Sequence, residues 1–258
     1  MPKISAVVAV KNEERNIRAC LDAVKWADEI IIVDDCSSDR TVEICREYGA
    51  KVLVNDAGGS FHKNKNLGLE NASGDWLLSL DADEVVSAGL KEEIQGRLAA
   101  DPAGIDGFFV PRDSYFIGRH IKGCGWSPDY ILRLFRKGAA KWPLDIHDVP
   151  SIADEQRTAR LKNPLIHYSY YSLEQYFEKF NKYTSKLARE EREKGVKVGP
   201  RNFLQLFFLK PAFWSLRKYL LQRGFADGFR GFFISASSGL VIFTTYAKLW
   251  EMQEHEKA

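Results

Sequence analysis

The chain has 258 residues, 45% of them apolar and 28% charged, which is enough to bury a substantial core and argues against global disorder. A formal net charge of +2 is too small to indicate a nucleic-acid partner. Cys20, Cys36, Cys45 and Cys124 make neither a close metal-binding pair nor a dense disulfide framework, so a reducing cytosol is expected, and the amino terminus enters an apolar run too early for a secretory leader.

Residues 4–10 form an uninterrupted apolar and small-residue run, and residues 12–24 follow at helical spacing with Ile17, Cys20, Leu21 and Val24 on the inward face. Residues 29–33 read as the next strand, 40–48 as a second helix and 51–54 as a short strand. Two strand–helix units closed by a strand imply a right-handed, mostly parallel α/β sheet. Gly58, Gly59 and Ser60 punctuate the connection to a helix over 63–71, and Ser73-Gly74-Asp75 leads into a strand over 76–80. The glycines spell neither GxGxxG nor the P-loop pattern, which ranks NAD and P-loop nucleotides low. A helix over 90–98, a loop at Asp101-Pro102-Ala103-Gly104 and strands over 107–110 and 130–135 follow, around a stretch rich in Arg, Gly and aromatics that suits an acceptor wall.

Beyond Pro164 the pattern changes to long helices over 173–193, 203–221 and 228–250. Residues 231–247 carry no formal charge, and at 17 residues they are short for a membrane span. A helix lying in the membrane plane or partly inserted is expected, with a buried clamp, a dimer seam and a true span as alternatives. Between residues 157 and 230 there are 16 Lys or Arg against 6 Asp or Glu, a face that seeks phosphate in a soluble substrate or at an anionic membrane.

The chemistry concentrates in two acidic clusters, Asp34-Asp35-Cys36-Ser37-Ser38-Asp39 and Asp81-Ala82-Asp83-Glu84, each following a strand-like run where parallel sheets place their ligand crevice. In an extended segment Asp81 and Asp83 point the same way, so both can serve one Mg²⁺ or Mn²⁺, or divide a sugar nucleotide and its cation between them. The bland alternative is a solvated strand-to-helix turn whose acids cap the helix near Leu90. Asp35 is a candidate for the nucleotide base or ribose, Asp81 for ribose or the metal shell, and Asp83 for direct metal ligation. Asp39 reads as a helix cap. Lys63, Lys65 and Asn66 are candidate phosphate or base contacts, against ordinary solvation as the competing reading. Arg133 and Arg136 can hold a diphosphate or an anionic acceptor, or form surface salt bridges. In Trp142-Pro143-Leu144-Asp145-Ile146-His147-Asp148, Asp148 is the leading general base for an acceptor hydroxyl and Asp145 the reserve, while His147 orients the acid, binds diphosphate or packs structurally. His167 is a candidate contact to phosphate or metal.

In this order, Val8-Ala9-Val10-Lys11-Asn12-Glu13-Glu14, Val33-Asp34-Asp35-Cys36-Ser37-Ser38-Asp39-Arg40-Thr41, Lys65-Asn66-Leu67-Gly68 and Leu80-Asp81-Ala82-Asp83-Glu84 resemble the family 2 glycosyltransferases with the GT-A fold. Later stretches, including Ile146-His147-Asp148, Asn163-Pro164-Leu165-Ile166-His167-Tyr168 and Tyr246-Ala247-Lys248-Leu249-Trp250-Glu251, resemble its lipopolysaccharide-core branch, which includes the WaaE-like glucosyltransferases. That resemblance implies a GT-A, Rossmann-like domain over residues 1–165. Residues 166–258 would form a helical extension facing an acceptor, a membrane or an oligomer partner. It places Val10 and Glu14 at the nucleotide pocket, Asp35 at the base, Lys65 near it, and Asp81 and Asp83 in the DxD site. It further implies an inverting, metal-dependent transfer of a hexose, commonly glucose from UDP-glucose, to a lipid-linked core saccharide at the inner face of the bacterial cytoplasmic membrane. Branch members more often carry His-Glu where this chain has His147-Asp148, which shortens the acid's reach. The competing readings are a transferase for a soluble saccharide or protein and a noncatalytic sugar-nucleotide sensor or scaffold; a homo-oligomer fits any of them.

Overall fold

The computed structural model describes residues 1–58, 60–143 and 149–256. Two compact units emerge: residues 1–113 with 129–167, and residues 114–128 with 168–258.

The first unit opens with β1 (Ile4–Val10), α1 (Ile17–Val24), β2 (Glu29–Asp34), α2 (Thr41–Glu47), β3 (Lys51–Val54), α3 (Phe61–Asn71) and β4 (Trp76–Asp81). Every residue of β1 is buried because it is the central strand, parallel to β2 on one side and β4 on the other. Its side chains alternate between two cores. Ala6, Val8 and Val10 join α1, while Val7 meets α3, where Gly68 lies so close that any Cβ would collide with the Val7 side chain. The helix over 12–24 is shorter than its pattern suggests, because Asn12 adopts a left-handed φ of 54° and regular helix begins only at Ile17.

The chain continues through β5 (Glu84–Val86), α4 (Ala88–Ala99), β6 (Gly107–Phe116), β7 (Arg119–His120), β8 (Asp129–Arg136), β9 (Ala140–Lys141), β10 (Ser151–Ile152), β11 (Thr158–Arg160) and β12 (Leu165–Tyr170). The main sheet runs β3-β2-β1-β4-β8-β6-β12-β5, mostly parallel through its first four strands and extended by antiparallel pairs. Asp81 and Asp83 do not share an extended segment, since β4 stops at Asp81 and Ala82-Asp83 form a turn into β5. The acids do not cap α4 either; Ser87 does, its hydroxyl accepting from the Leu90 N–H at 3.2 Å.

In the second unit, α5 (Leu173–Glu193) is capped by Ser172, whose hydroxyl accepts from the Gln175 N–H. The 203–221 stretch contains α6 (Lys210–Leu216) between π-helical segments Gln205–Leu209 and Arg217–Leu221. Pro211 near the start of α6 lacks an N–H and crowds the preceding turn, which accounts for the wider winding just before it. The final helix, α7 (Gly228–His255), belongs to a helical stretch long and apolar enough to cross a membrane by length and composition, with a mean hydropathy of 1.3 in its most apolar window. All four cysteines are free, and burial pushes the Cys45 thiol up to about 12.

Candidate active site

The register brings the two acidic clusters to one edge of the sheet. Asp34 pairs with Val10 across β1–β2, and Asp81 pairs with Ala9 across β1–β4, so the acids flank the carboxyl end of the central strand. The antiparallel β8 then delivers Arg133 to the same edge.

A cavity of about 480 Å³ opens there, lined by residues that include Lys65, Asp81, Asp83, Arg112, Arg133 and His167. Lys65 Nζ lies 2.5 Å from Asp81 Oδ1, and Arg133 Nη2 donates to Asp81 Oδ2 at 2.6 Å and to Glu84 Oε1 at 2.8 Å. Glu84, fully buried, also accepts from the Asp81 backbone N–H through its other oxygen, at 3.0 Å. Arg112 continues the chain of opposite charges, donating to Asp129 Oδ2 at 2.6 and 2.9 Å. Burial alone would raise the Asp81 carboxyl, but the charges of Lys65 and Arg133 outweigh it and hold the group well below the usual carboxylate range. For Arg133 burial acts to lower the pKa, and the carboxylates of Glu84 and Asp81 reverse that and raise it. Asp83 Oδ2 faces His167 Nε2 at 3.5 Å across the β5–β12 pairing.

Trp142 forms one wall. Lys65 Nζ sits 3.7 Å from its ring centroid, and its indole N–H donates to Ser79 Oγ at 3.3 Å. The Asn66 side chain holds the Trp142 backbone from both ends, donating to its carbonyl at 2.8 Å and accepting from its N–H at 2.9 Å. Asn66 therefore fixes the wall.

Of the residues singled out in the sequence, Lys65, Asp81, Asp83, Arg133 and His167 converge on this cavity. Asp35 lies nearby at the end of β2, buried, accepting from Lys11 Nζ at 2.8 Å and from the Ala57 N–H at 3.0 Å. The Val10 side chain points into the core, leaving only its backbone at the edge, where its carbonyl accepts from the Asp35 N–H. Glu14 accepts from the Arg40 N–H at 3.1 Å, and Asp39 accepts from the Thr41 N–H at the start of α2. Arg136 is not brought to the cavity. It pairs with Trp76 at the opposite end of β4 and binds the Ile105 carbonyl beside Asp101 and Asp106. Asp145, His147 and Asp148 lie outside the described residues. Glu84, from the second acidic cluster, completes the charge network together with Arg112 and Asp129, which the sequence did not single out.

The Glycosyl transferase family 2 model matches residues 5–151, which contain the Lys65, Asp81, Glu84, Arg112, Asp129 and Arg133 charge network but not His167. The chain belongs to glycosyl transferase family 2. An uncharacterized glycosyltransferase of Rickettsia typhi is 31% identical over 267 residues, covering 98% of this chain and 88% of the relative. The lipopolysaccharide core biosynthesis glycosyltransferase LpsC of Rhizobium meliloti is 28% identical over 263 residues, covering 97% and 94%. Among solved structures, S. aureus TarS has the same fold, with a TM-score of 0.50 at 18% identity over 92% of this chain and 55% of that one. This chain thus spans about half the length of that structure.

Proposed function

We propose that this glycosyltransferase moves a hexose, glucose from UDP-glucose, to a lipopolysaccharide-core or related lipid-linked saccharide, with inversion at the anomeric carbon. The observation that carries the reading is the Lys65–Asp81–Arg133 cluster at the cavity edge, where two cations stand ready for a diphosphate. The match to LpsC along nearly the full chain supports the core-saccharide acceptor. Residues 1–165 are assigned donor binding and catalysis, and residues 166–258 the acceptor or membrane side, peripheral on the inner face of a bacterial cytoplasmic membrane. Asp35 and Lys65 serve the nucleotide. In the transfer, Asp148 takes the proton of the acceptor hydroxyl as its oxygen bonds to the anomeric carbon, while the bond from that carbon to the diphosphate breaks. Asp145 is the reserve base.

Asp83 and His167 fit a divalent cation as a two-donor site of the kind that fills its remaining positions with water and phosphate oxygens. Asp81 fits less well, because both its oxygens are engaged by Lys65 and Arg133, and among the described residues no group of three or more His, Cys, Asp or Glu is placed to hold a metal. The imidazole favours Mn²⁺ over Mg²⁺. When bound, the ion supplies charge neutralisation of the diphosphate leaving group.

The test is nucleotide diphosphate release from a panel of UDP-, GDP-, ADP- and dTDP-sugars with Mg²⁺ or Mn²⁺, with and without extracted bacterial lipid-linked core. Release from UDP-glucose that needs the core and is lost in Asp83→Ala is expected. Release stimulated equally by soluble saccharides would remove the lipid-linked acceptor, and donor binding without release from any pairing would favour a sensor.

A further inference from the structure

The uncharged run at 231–247 is not the most exposed apolar surface of the second unit. Within it Ile234, Ser235, Ser237, Gly239, Thr245 and Tyr246 are buried. At Gly239 a Cβ would lie 2.6 Å from the Pro211 carbonyl oxygen, so α6 and α7 touch backbone to side there. The opposite face of α7 carries Phe229, Phe232, Leu240, Phe243 and Trp250, at intervals of three, seven or eight residues that return to one helix face, and 42 to 74% exposed. Alongside, Leu204, Phe208, Phe213, Leu216 and Leu220 are 54 to 62% exposed. Ring contacts join the two rows at both ends, Phe207 to Phe243 at 5.4 Å and Tyr219 to Phe232 at 6.1 Å, making one continuous apolar face. A soluble monomer rarely leaves such a patch uncovered.

We propose that this face, built by residues 203–232 together with the outer stripe of α7, docks on an anionic lipid bilayer, with α7 in the plane of the membrane rather than across it. The proposal deepens the reading of a membrane-facing extension by naming the surface and its orientation. Charge selects the occupant. Between residues 194 and 230 there are eight Lys or Arg and one acid, Asp227, whose carboxylate is engaged by the Lys122 and Gly123 N–H groups. A twofold contact between two copies would bring this local excess of positive charge against itself, whereas anionic headgroups complement it. Orientation follows from α5, which packs along α7 and carries ten charged side chains in 21 residues. Lys248 of α7 binds Asn181, Thr184 and Ser185 of α5 at 2.7 to 2.9 Å. A spanning α7 would drag this polar partner into hydrocarbon; an in-plane α7 keeps α5 in water and buries only the apolar stripe.

The full chain is to be sedimented with vesicles of phosphatidylcholine and phosphatidylglycerol, or of phosphatidylcholine alone, followed by an alkaline carbonate wash. Binding to the anionic vesicles that the wash releases is expected. Phe208→Ser/Leu216→Ser/Phe232→Ser lowers binding roughly a hundredfold, with the far-ultraviolet spectrum and donor binding kept as the check on folding. Arg201→Glu/Arg223→Glu lowers it about tenfold and only on the anionic vesicles. Undiminished binding by the triple variant overturns the proposal. So does resistance to the wash, which indicates a span, or a wild-type dimer that ignores vesicles and that the triple variant dissociates. Vesicle binding requires neither donor nor acceptor, so its failure leaves the transferase reading intact, and absent diphosphate release leaves this one intact.

Discussion

The two units break the usual partition of residues in opposite directions. The first buries ions: Lys65, Glu84 and Arg133 are all under a tenth exposed, and each is neutralised within the chain. The second exposes apolar side chains, with Phe229 74% and Leu221 78% accessible. Buried ions and bare apolar side chains are both costly in an isolated monomer. Under the two proposals above the guests differ in kind, an anion that competes for internal ion pairs in one unit and an apolar phase in the other.

The largest expected effect tests the chemistry of the first unit. Asp148→Asn should lower turnover by about a thousandfold while leaving donor affinity unchanged, as measured by diphosphate release and calorimetry, because the amide keeps the shape and loses the basic oxygen. A deficit of that size in Asp145→Asn with normal Asp148→Asn turnover would transfer the role to the reserve acid.

Next comes the cost of the buried ions themselves. Arg133→Met leaves the fully buried Glu84 and the Asp81 carboxylate without their shared guanidinium, and should destabilise the protein by about 3–5 kcal/mol in urea unfolding. Adding Glu84→Gln should recover part of that loss, since it removes the stranded charge. A double variant no more stable than Arg133→Met would mean that packing on Trp142, 5.5 Å from the guanidinium, matters more than charge.

The opposite faces of α7 allow the contrast to be made within one helix. Gly231→Ala would drive a Cβ into the Gly224 carbonyl, for an expected loss of about 1–3 kcal/mol in thermal unfolding. Leu240→Ser on the outer stripe should change stability by no more than about 0.5 kcal/mol without vesicles. Equal losses at the two positions would mean that the outer stripe is covered in solution.

What could be read in the sequence follows from the range of the forces involved. The strands ending at Asp34 and Asp81 announce themselves through unbroken apolar runs, and parallel topology alone then carries both acids to one edge. Arg112 and Asp129 could not be paired in advance, because their contact depends on antiparallel register between β6 and β8, including the irregularity at Phe108 and Phe109. Arg136 illustrates the same limit. It lies three residues from Arg133 and is chemically identical, yet the strand direction places it at the far end of β4. On α7 the 231–247 run showed only that charge was absent. Which side faces out depended on small residues, Gly231 and Gly239, that admit close neighbours on one face only.

The smallest expected effect concerns Asp35, where pH separates charge from shape. Its carboxyl is held below the usual value first by the hydrogen bond from Lys11, against burial, and then by the Ala57 N–H. A folded pKa below the unfolded one means that the carboxylate contributes stability that is complete above an unfolded value of roughly 4 and is lost as pH falls through the folded value. Lys11 is 42% exposed, so solvent screens the pair and the contribution is modest. Asp35→Asn should therefore melt about a degree or two below wild type at neutral pH, with the two curves converging as acid protonates the native carboxylate. A constant offset at every pH would assign the loss to the amide's fit against Ala57 and Asn64 instead of to the ionised group, and would leave Asp35 a structural hydrogen-bond acceptor at the edge of the sheet.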